Sequence, residues 1–141
     1  MSVNLREARA AYFRRAGFDE TSYSDRWVTV RFGRVPFRFP NTKARIEAVR
    51  YHDLHHTLTG YDTSLTGESE IAAWEIATGC GRYYVAWILN FFGILIGLII
   101  APRRTIRAFV RGLGSRNLYA RPFDDALPDR PVDDVRRELK I

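Results

Sequence analysis

The hydrophobic pattern of this chain switches between two periods, and each switch marks an element. After Asn4, the residues Leu5, Ala8, Tyr12 and Ala16 recur at helical spacing up to Gly17, which predicts a short amphipathic helix. From Asp25 the period becomes two. Val28, Val30 and Phe32 alternate with Thr29 and Arg31, and past Gly33 and Arg34 the alternation resumes at Val35, Phe37 and Phe39. This predicts a small β-hairpin over residues 25–40, in which Pro36, lacking a ladder donor, takes an edge position. Pro40, Asn41 and Thr42 end the extended stretch and cap a helix over residues 43–59, which Gly60 stops. A loop rich in hydroxyls follows over 61–67, and a further helix starts near Thr66 or Gly67 with Glu68 in its first turn. Ile71 and Trp74 belong to the packing side of that helix. Ala72, Glu75 and Gly79 share the side of Glu68, where two small residues leave room for a ligand.

Gly79-Cys80-Gly81 reads as a break. Residues 85–101 then form a run of 17 with only Asn90 polar, followed by Pro102 and the basic positions Arg103, Arg104, Arg107 and Arg111. A membrane span needs about 20 apolar residues, so this run predicts a helix lying on a membrane surface in preference to a short span. Gly93 and Gly97 have the small-xxx-small spacing of either helix dimerisation, hence a homodimer, or simple close packing. Within the basic amphipathic segment 103–113, Arg103, Arg107 and Arg111 line up while Ile106, Phe109, Val110 and Leu113 take other sides. An anionic bilayer surface fits that pattern, and so does a solvated basic face. A short terminal helix is expected over 133–139. The fold class is mainly α, a compact single helical domain over 1–141 containing a helical hairpin and one small N-terminal β-hairpin.

Composition narrows the setting. Hydrophobic residues make up 46% and charged ones 27% of the chain, which excludes a disordered tail and suits a globular domain with an apolar surplus. The one cysteine, Cys80, has no internal partner, which favours a reducing compartment. The Arg-rich start carries Glu7 and lacks the apolar core of a secretory signal, so it reads as an ordinary helix. A net charge of +6 admits nucleic acid, anionic lipid or an acidic small molecule. No nucleic-acid reading motif accompanies the arginines, and the aromatic residues cluster in apolar stretches. The expectation is therefore no nucleic acid, and a peripheral position on the cytoplasmic side of a membrane.

All three histidines lie in the stretch His52-Asp53-Leu54-His55-His56, and eleven residues separate His56 from Glu68. At about 100° per residue, His56 lies about 40° and Asp53 about 100° from His52, so the three share one arc with Val49 and Arg45. His55, at about 300°, sits at the border of that arc. Two histidines one turn apart can reach one cation, an adjacent carboxylate can add an oxygen, and the Gly60 break lets Glu68 return from the next helix. Such a set suits Zn²⁺, and Fe²⁺ or Mn²⁺ would accept it.

The pattern His52-Asp53-x-x-His56 with Glu68 after eleven residues is similar to the zinc-motif signature of the fourth coenzyme Q biosynthesis protein family, the Coq proteins of ubiquinone formation. The resemblance runs from Arg45 through Thr57, Leu58, Gly60, Thr63, Gly67-Glu68 and Glu75 to Thr78-Gly79. It returns in Pro131-Val132-x-x-Val135-Arg136-x-Glu138-Leu139-x-Ile141. It implies His52, Asp53, His56 and Glu68 as ligands of zinc, a mostly helical fold and peripheral membrane association. It also implies a role in replacing the C1 carboxylate of a polyprenyl-hydroxybenzoate by hydroxyl, or in organising the other ubiquinone-biosynthesis proteins.

The chain departs from the family in being much shorter than its eukaryotic members. The hairpin over 31–39 has no counterpart, and the run over 85–100 is more continuously apolar. On this reading the protein is a metal-dependent oxidative decarboxylase, with Glu75 as general acid or base and Arg45 pairing with the anionic substrate. The apolar run holds the tail of a polyprenyl quinone precursor or other isoprenoid lipid. The alternative is a non-enzymatic polyprenyl-lipid-binding scaffold with a structural metal.

Overall fold

The computed structural model describes residues 2–17, 26–32, 34–122 and 124–141. Asp25 and Gly33, expected at the start and the turn of the hairpin, lie outside them. Among the described residues, six α-helices and one β-hairpin follow in chain order. Helix α1 (Leu5–Ala16) begins at Asn4, whose side chain accepts from the Glu7 amide while the Glu7 carboxylate accepts from the Asn4 amide. Gly17, at φ 70°, ends it in a left-handed turn that a side chain would strain. Leu5, Tyr12 and Phe13 are its buried residues. The two ends of the chain meet here, as Leu5 N–H donates to Arg130 C=O and Val132 N–H to Val3 C=O.

Strands β1 (Trp27–Phe32) and β2 (Val35–Pro40) pair antiparallel, with Val30 opposite Phe37 and Pro36 opposite Arg31. In a sheet of two strands both are edges, which is where Pro36 costs no ladder bond. The hairpin leans on a later helix through Phe37, whose ring centre lies 5.3 Å from that of Phe92.

Helix α2 (Lys43–Thr59) starts at Thr42, which accepts from the Arg45 amide, and stops at Gly60. Its last carbonyls are capped from distant parts of the chain. Arg136 donates to Leu58 and Thr57, and Arg111 donates to Thr59. A helix end has unpaired carbonyls that need partners, and here two arginines supply them. Helix α3 (Leu65–Thr78) starts at Ser64, which accepts from the Gly67 amide. Gly67 is required by contact: a Cβ there would fall 2.2 Å from the Asp62 carbonyl oxygen. That close approach brings the loop against the first turn of α3 and seats Glu68 next to it.

Helices α4 (Tyr84–Ile100) and α5 (Pro102–Leu113) both pack on α3. Ala101 breaks the chain between them and Pro102 opens α5 at a position where no amide is needed. Gly93 and Gly97 are buried, and a Cβ on Gly97 would fall 2.7 Å from Ser69 Cβ and 2.4 Å from Thr105 Oγ1. Gly97 of the small-xxx-small pair thus serves close packing within the chain. A 3₁₀ turn (Leu127–Asp129) precedes α6 (Val132–Leu139).

The main apolar cluster joins Leu5, Tyr51, Leu54, Leu58, Tyr83, Leu118, Val135 and Leu139, each contributing about 1.5–3 kcal/mol by burial. Ile71 and Trp74 are fully buried on the packing side of α3. Cys80 is buried as well, and burial pushes its thiol up to about 12, so it stays a neutral packing group.

The outer faces of α4 and α5 are apolar and uncovered. Tyr84, Ile88, Phe91, Leu95 and Ile99 of α4 are exposed, as are Ile106, Val110 and Leu113 of α5. No helix among the described residues is long and apolar enough to cross a membrane. The arginine row divides on folding. Arg104 grips Glu70 with two bonds of 2.9 and 2.8 Å and Arg111 donates to the Thr59 carbonyl and lies over the Tyr61 ring, while all of them, with Arg103 and Arg107, stay on the exposed surface.

Candidate metal centre

Helix α2 turns one face toward α3, and that face carries His52 and His56 one turn apart. Each imidazole is held by its Nδ1. His56 Nδ1 lies 2.8 Å from the Tyr61 carbonyl oxygen, which can only accept, so this nitrogen carries the proton. His52 Nδ1 lies 3.0 Å from Glu75 Oε1, a buried carboxylate that also only accepts in its ionised form. Both Nε2 atoms are thereby turned toward one point and face each other at 3.2 Å, and a cation arriving there would displace the proton that His52 holds. Glu68, from the first turn of α3, brings Oε1 to 3.4 Å from His56 Nε2 and Oε2 to 3.5 Å from His52 Nε2. Two converging imidazole nitrogens and a carboxylate make a donor set that fits a divalent cation, and these three residues could hold one. The ring of Tyr12 stacks on His56 at 5.3 Å and fixes its plane from the α1 side.

Without a cation, the carboxylates around the site favour a proton on His52 in its place. Burial by itself would lower the His52 imidazolium, but the Glu75 charge and the hydrogen bonds that His52 donates to Glu68 and Glu75 outweigh it and hold His52 well above its ordinary value. Burial would likewise raise Glu68, and the hydrogen bonds to His52 and His56 reverse this and bring it down to about 2. The site is a negative pocket for one positive charge. The His52 and Glu68 side chains keep 27% and 28% of their surface open, so the group is reachable from solvent on their side.

Behind the site lies a buried polar knot centred on Glu75. Its Oε1 accepts from His52 and, at 2.6 Å, from His55 Nδ1. Its Oε2 accepts from Asn90 Nδ2 at 2.6 Å and from the Tyr119 hydroxyl at 2.8 Å. Burial would raise this carboxyl, but the His52 charge and the histidine hydrogen bonds hold it well below the usual carboxylate range. Burial lowers His55, whose Nε2 accepts from the Leu118 amide at 3.0 Å, leaving a neutral ring with its proton on Nδ1. Its faces are closed by Trp74 and Tyr119.

The sequence-predicted residues therefore divide. His52, His56 and Glu68 come together as expected. Asp53 does not join their converging atoms. It is buried further round α2, where its charge reaches Tyr119, because a step of about 100° turns it off the face that looks at α3. Glu75, expected as a general acid or base, is fully buried, ionised and occupied by four donors, which leaves it no proton to give and no free lone pair toward a substrate. Arg45 is buried with Nη1 donating to Asn41 at 2.9 Å, near the start of α2. His55 belongs to the layer behind the ligands. Two participants went unrecognised in the sequence. Asn90 carried a signal, as the one polar residue of an apolar run. Tyr119 carried none, because only the fold brings it to Glu75. No family model, curated protein or solved structure matches the chain.

Proposed function

We propose that the chain holds a divalent cation through His52, His56 and Glu68 and acts as a metal-dependent enzyme of ubiquinone formation. Its substrate is a polyprenylated hydroxybenzoate whose C1 carboxylate is replaced by hydroxyl. The observation that carries this reading is the count of converging donors, which is three and includes two histidines whose Nδ1 atoms are engaged behind them so that both Nε2 atoms aim at one point. Structural zinc sites close with four protein ligands, whereas catalytic ones use three and keep a position for water or substrate. Zinc is the first choice, and the two-histidine, one-carboxylate set also suits Fe²⁺, with Mn²⁺ a third candidate.

When bound, such an ion supplies Lewis acidity to a ring carboxylate or phenol oxygen. The protein groups do the rest. His52, His56 and Glu68 orient the cation, and the open side at His52 and Glu68 admits the ring. The uncovered faces of α4 and α5 take the polyprenyl tail and rest on the membrane. Arg103 and Arg107, exposed beside the apolar face of α5, meet anionic headgroups on the cytoplasmic side. The exchange releases carbon dioxide and consumes dioxygen with a two-electron reductant, so both belong in the assay.

The second reading is a scaffold that holds polyprenyl lipid and the other biosynthetic enzymes without turnover. The breadth of the exposed apolar face favours it. The deciding experiment incubates metal-loaded protein with a polyprenyl-hydroxybenzoate, dioxygen and a reductant, and follows the product by mass spectrometry. Loss of the carboxyl and gain of a hydroxyl, absent in Glu68→Ala, supports the enzyme. Lipid that is bound but unchanged in mass, with the cation in place, supports the scaffold.

A further inference from the structure

We propose that Glu75 is the positioning residue of the metal centre, and that Asn90 and Tyr119 set the affinity and geometry of the cation by holding its second oxygen. This rests on the metal reading above and adds to it a control point outside the ligands. Three observations on separate elements converge. Glu75 of α3 is fully buried, and its Oε1 is the acceptor that leaves His52 Nε2 pointing at His56 and Glu68. The same Oε1 is shared with His55, whose ring is pinned at its other nitrogen by the Leu118 amide, so that oxygen cannot swing away. Oε2 is pinned by Asn90 from α4 and by Tyr119 from the segment after α5.

A carboxylate held at both oxygens presents a fixed acceptor to the imidazole. This sets the ring's rotation, keeps the proton on Nδ1 and raises the basicity of Nε2 toward the cation. The arrangement also explains the one polar residue of α4. An asparagine in so apolar a helix costs desolvation unless it is paired, and Asn90 is buried with its amide on Glu75 at 2.6 Å. The helix with the uncovered apolar face is thereby bonded to the carboxylate that aims a metal ligand.

The test uses the full chain with Zn²⁺ for affinity, by competition against a chromophoric chelator, and Co²⁺ for geometry, by its visible ligand-field spectrum. Glu75→Gln keeps the shape and removes the charge. It should weaken Zn²⁺ about 10- to 100-fold and shift the Co²⁺ spectrum. Tyr119→Phe, which leaves Glu75 and His52 in place, should weaken Zn²⁺ in the same direction by a smaller factor. A purely structural role would lower the unfolding midpoint while leaving the Co²⁺ spectrum of the folded fraction unchanged.

Equal affinity and an unchanged spectrum in Glu75→Gln overturn the proposal while leaving the metal site standing. Should the wild type take up no cation, or His56→Ala take it up equally well, the metal reading itself fails. If Glu75→Gln does not fold, nitrogen-15 imidazole spectra of the wild type decide. His52 protonated at Nδ1, with Nε2 responding to Zn²⁺, supports the assignment, and coordination through Nδ1 overturns it.

Discussion

Replacing Glu68 by glutamine tests the heart of the site with the smallest steric change. In the metal-free protein the carboxylate lies between two imidazoles, 3.4 Å from His56 Nε2 and 3.5 Å from His52 Nε2, and is held at about 2 in place of 4.5. Each tenfold change in proton affinity is worth about 1.4 kcal/mol, so this placement contributes up to about 3 kcal/mol at neutral pH. The sign follows from the lowered value. The contribution is present above the unfolded value of 4.5 and is lost as pH falls toward about 2. Glutamine cannot titrate, so the wild type should exceed Glu68→Gln by about 3 kcal/mol near neutrality and by only about 1 kcal/mol at about pH 3.

His52 works with the opposite sign. Its raised value gives a contribution that is complete below about 6.5 and disappears as pH rises through the folded value, so the two overlap in between. The assay is urea unfolding of chelator-treated wild type and variant at the two pH values, compared as differences so that the other carboxylates cancel. A difference that stays constant with pH, or one below about 0.5 kcal/mol at neutrality, would refute the engagement of this carboxylate with the histidine pair.

Two further expectations concern packing and the outer surface. In Gly112→Ala the new methyl would meet Ala77 Cβ at 2.7 Å and the Trp74 carbonyl oxygen at 2.8 Å, against backbone that cannot move aside. The gain of about 1 kcal/mol in helix propensity is then outweighed by an overpacking cost of about 1–3 kcal/mol. Thermal unfolding should show a midpoint about 5 °C lower, and a raised midpoint would contradict the α3–α5 contact. Arg103→Gln with Arg107→Gln should weaken pelleting with anionic liposomes roughly 30-fold, at about 1 kcal/mol for each arginine near the surface. Wild-type protein that pellets no better at low salt than at high salt would remove the electrostatic part of the membrane reading.

Much of this protein is determined by neighbouring residues alone. Asn4 with Glu7, Thr42, Gly17, Gly60 and Pro102 set helix ends through bonds and backbone angles that span four residues or fewer, and those ends fall where the sequence puts them. The alternation on either side of Arg34 determines the hairpin for the same reason. Helical spacing also determines that His52 and His56 share a face.

What spacing could not determine is which neighbour that face would meet. Asp53 lies on the same broad arc as His52, and a donor set of three instead of four arises because α3 approaches from one side of it. Glu75 looks from the sequence like a catalytic carboxylate beside the metal. Only the tertiary structure supplies the donors that occupy it, from as far along the chain as Tyr119, 44 residues away. His55 is decided in the same manner by the Leu118 amide, 63 residues away. Local sequence governs directions within a helix. The partners found along those directions are chosen by packing, which settles whether a charged or polar group faces a cation, a hydrogen-bond network or solvent.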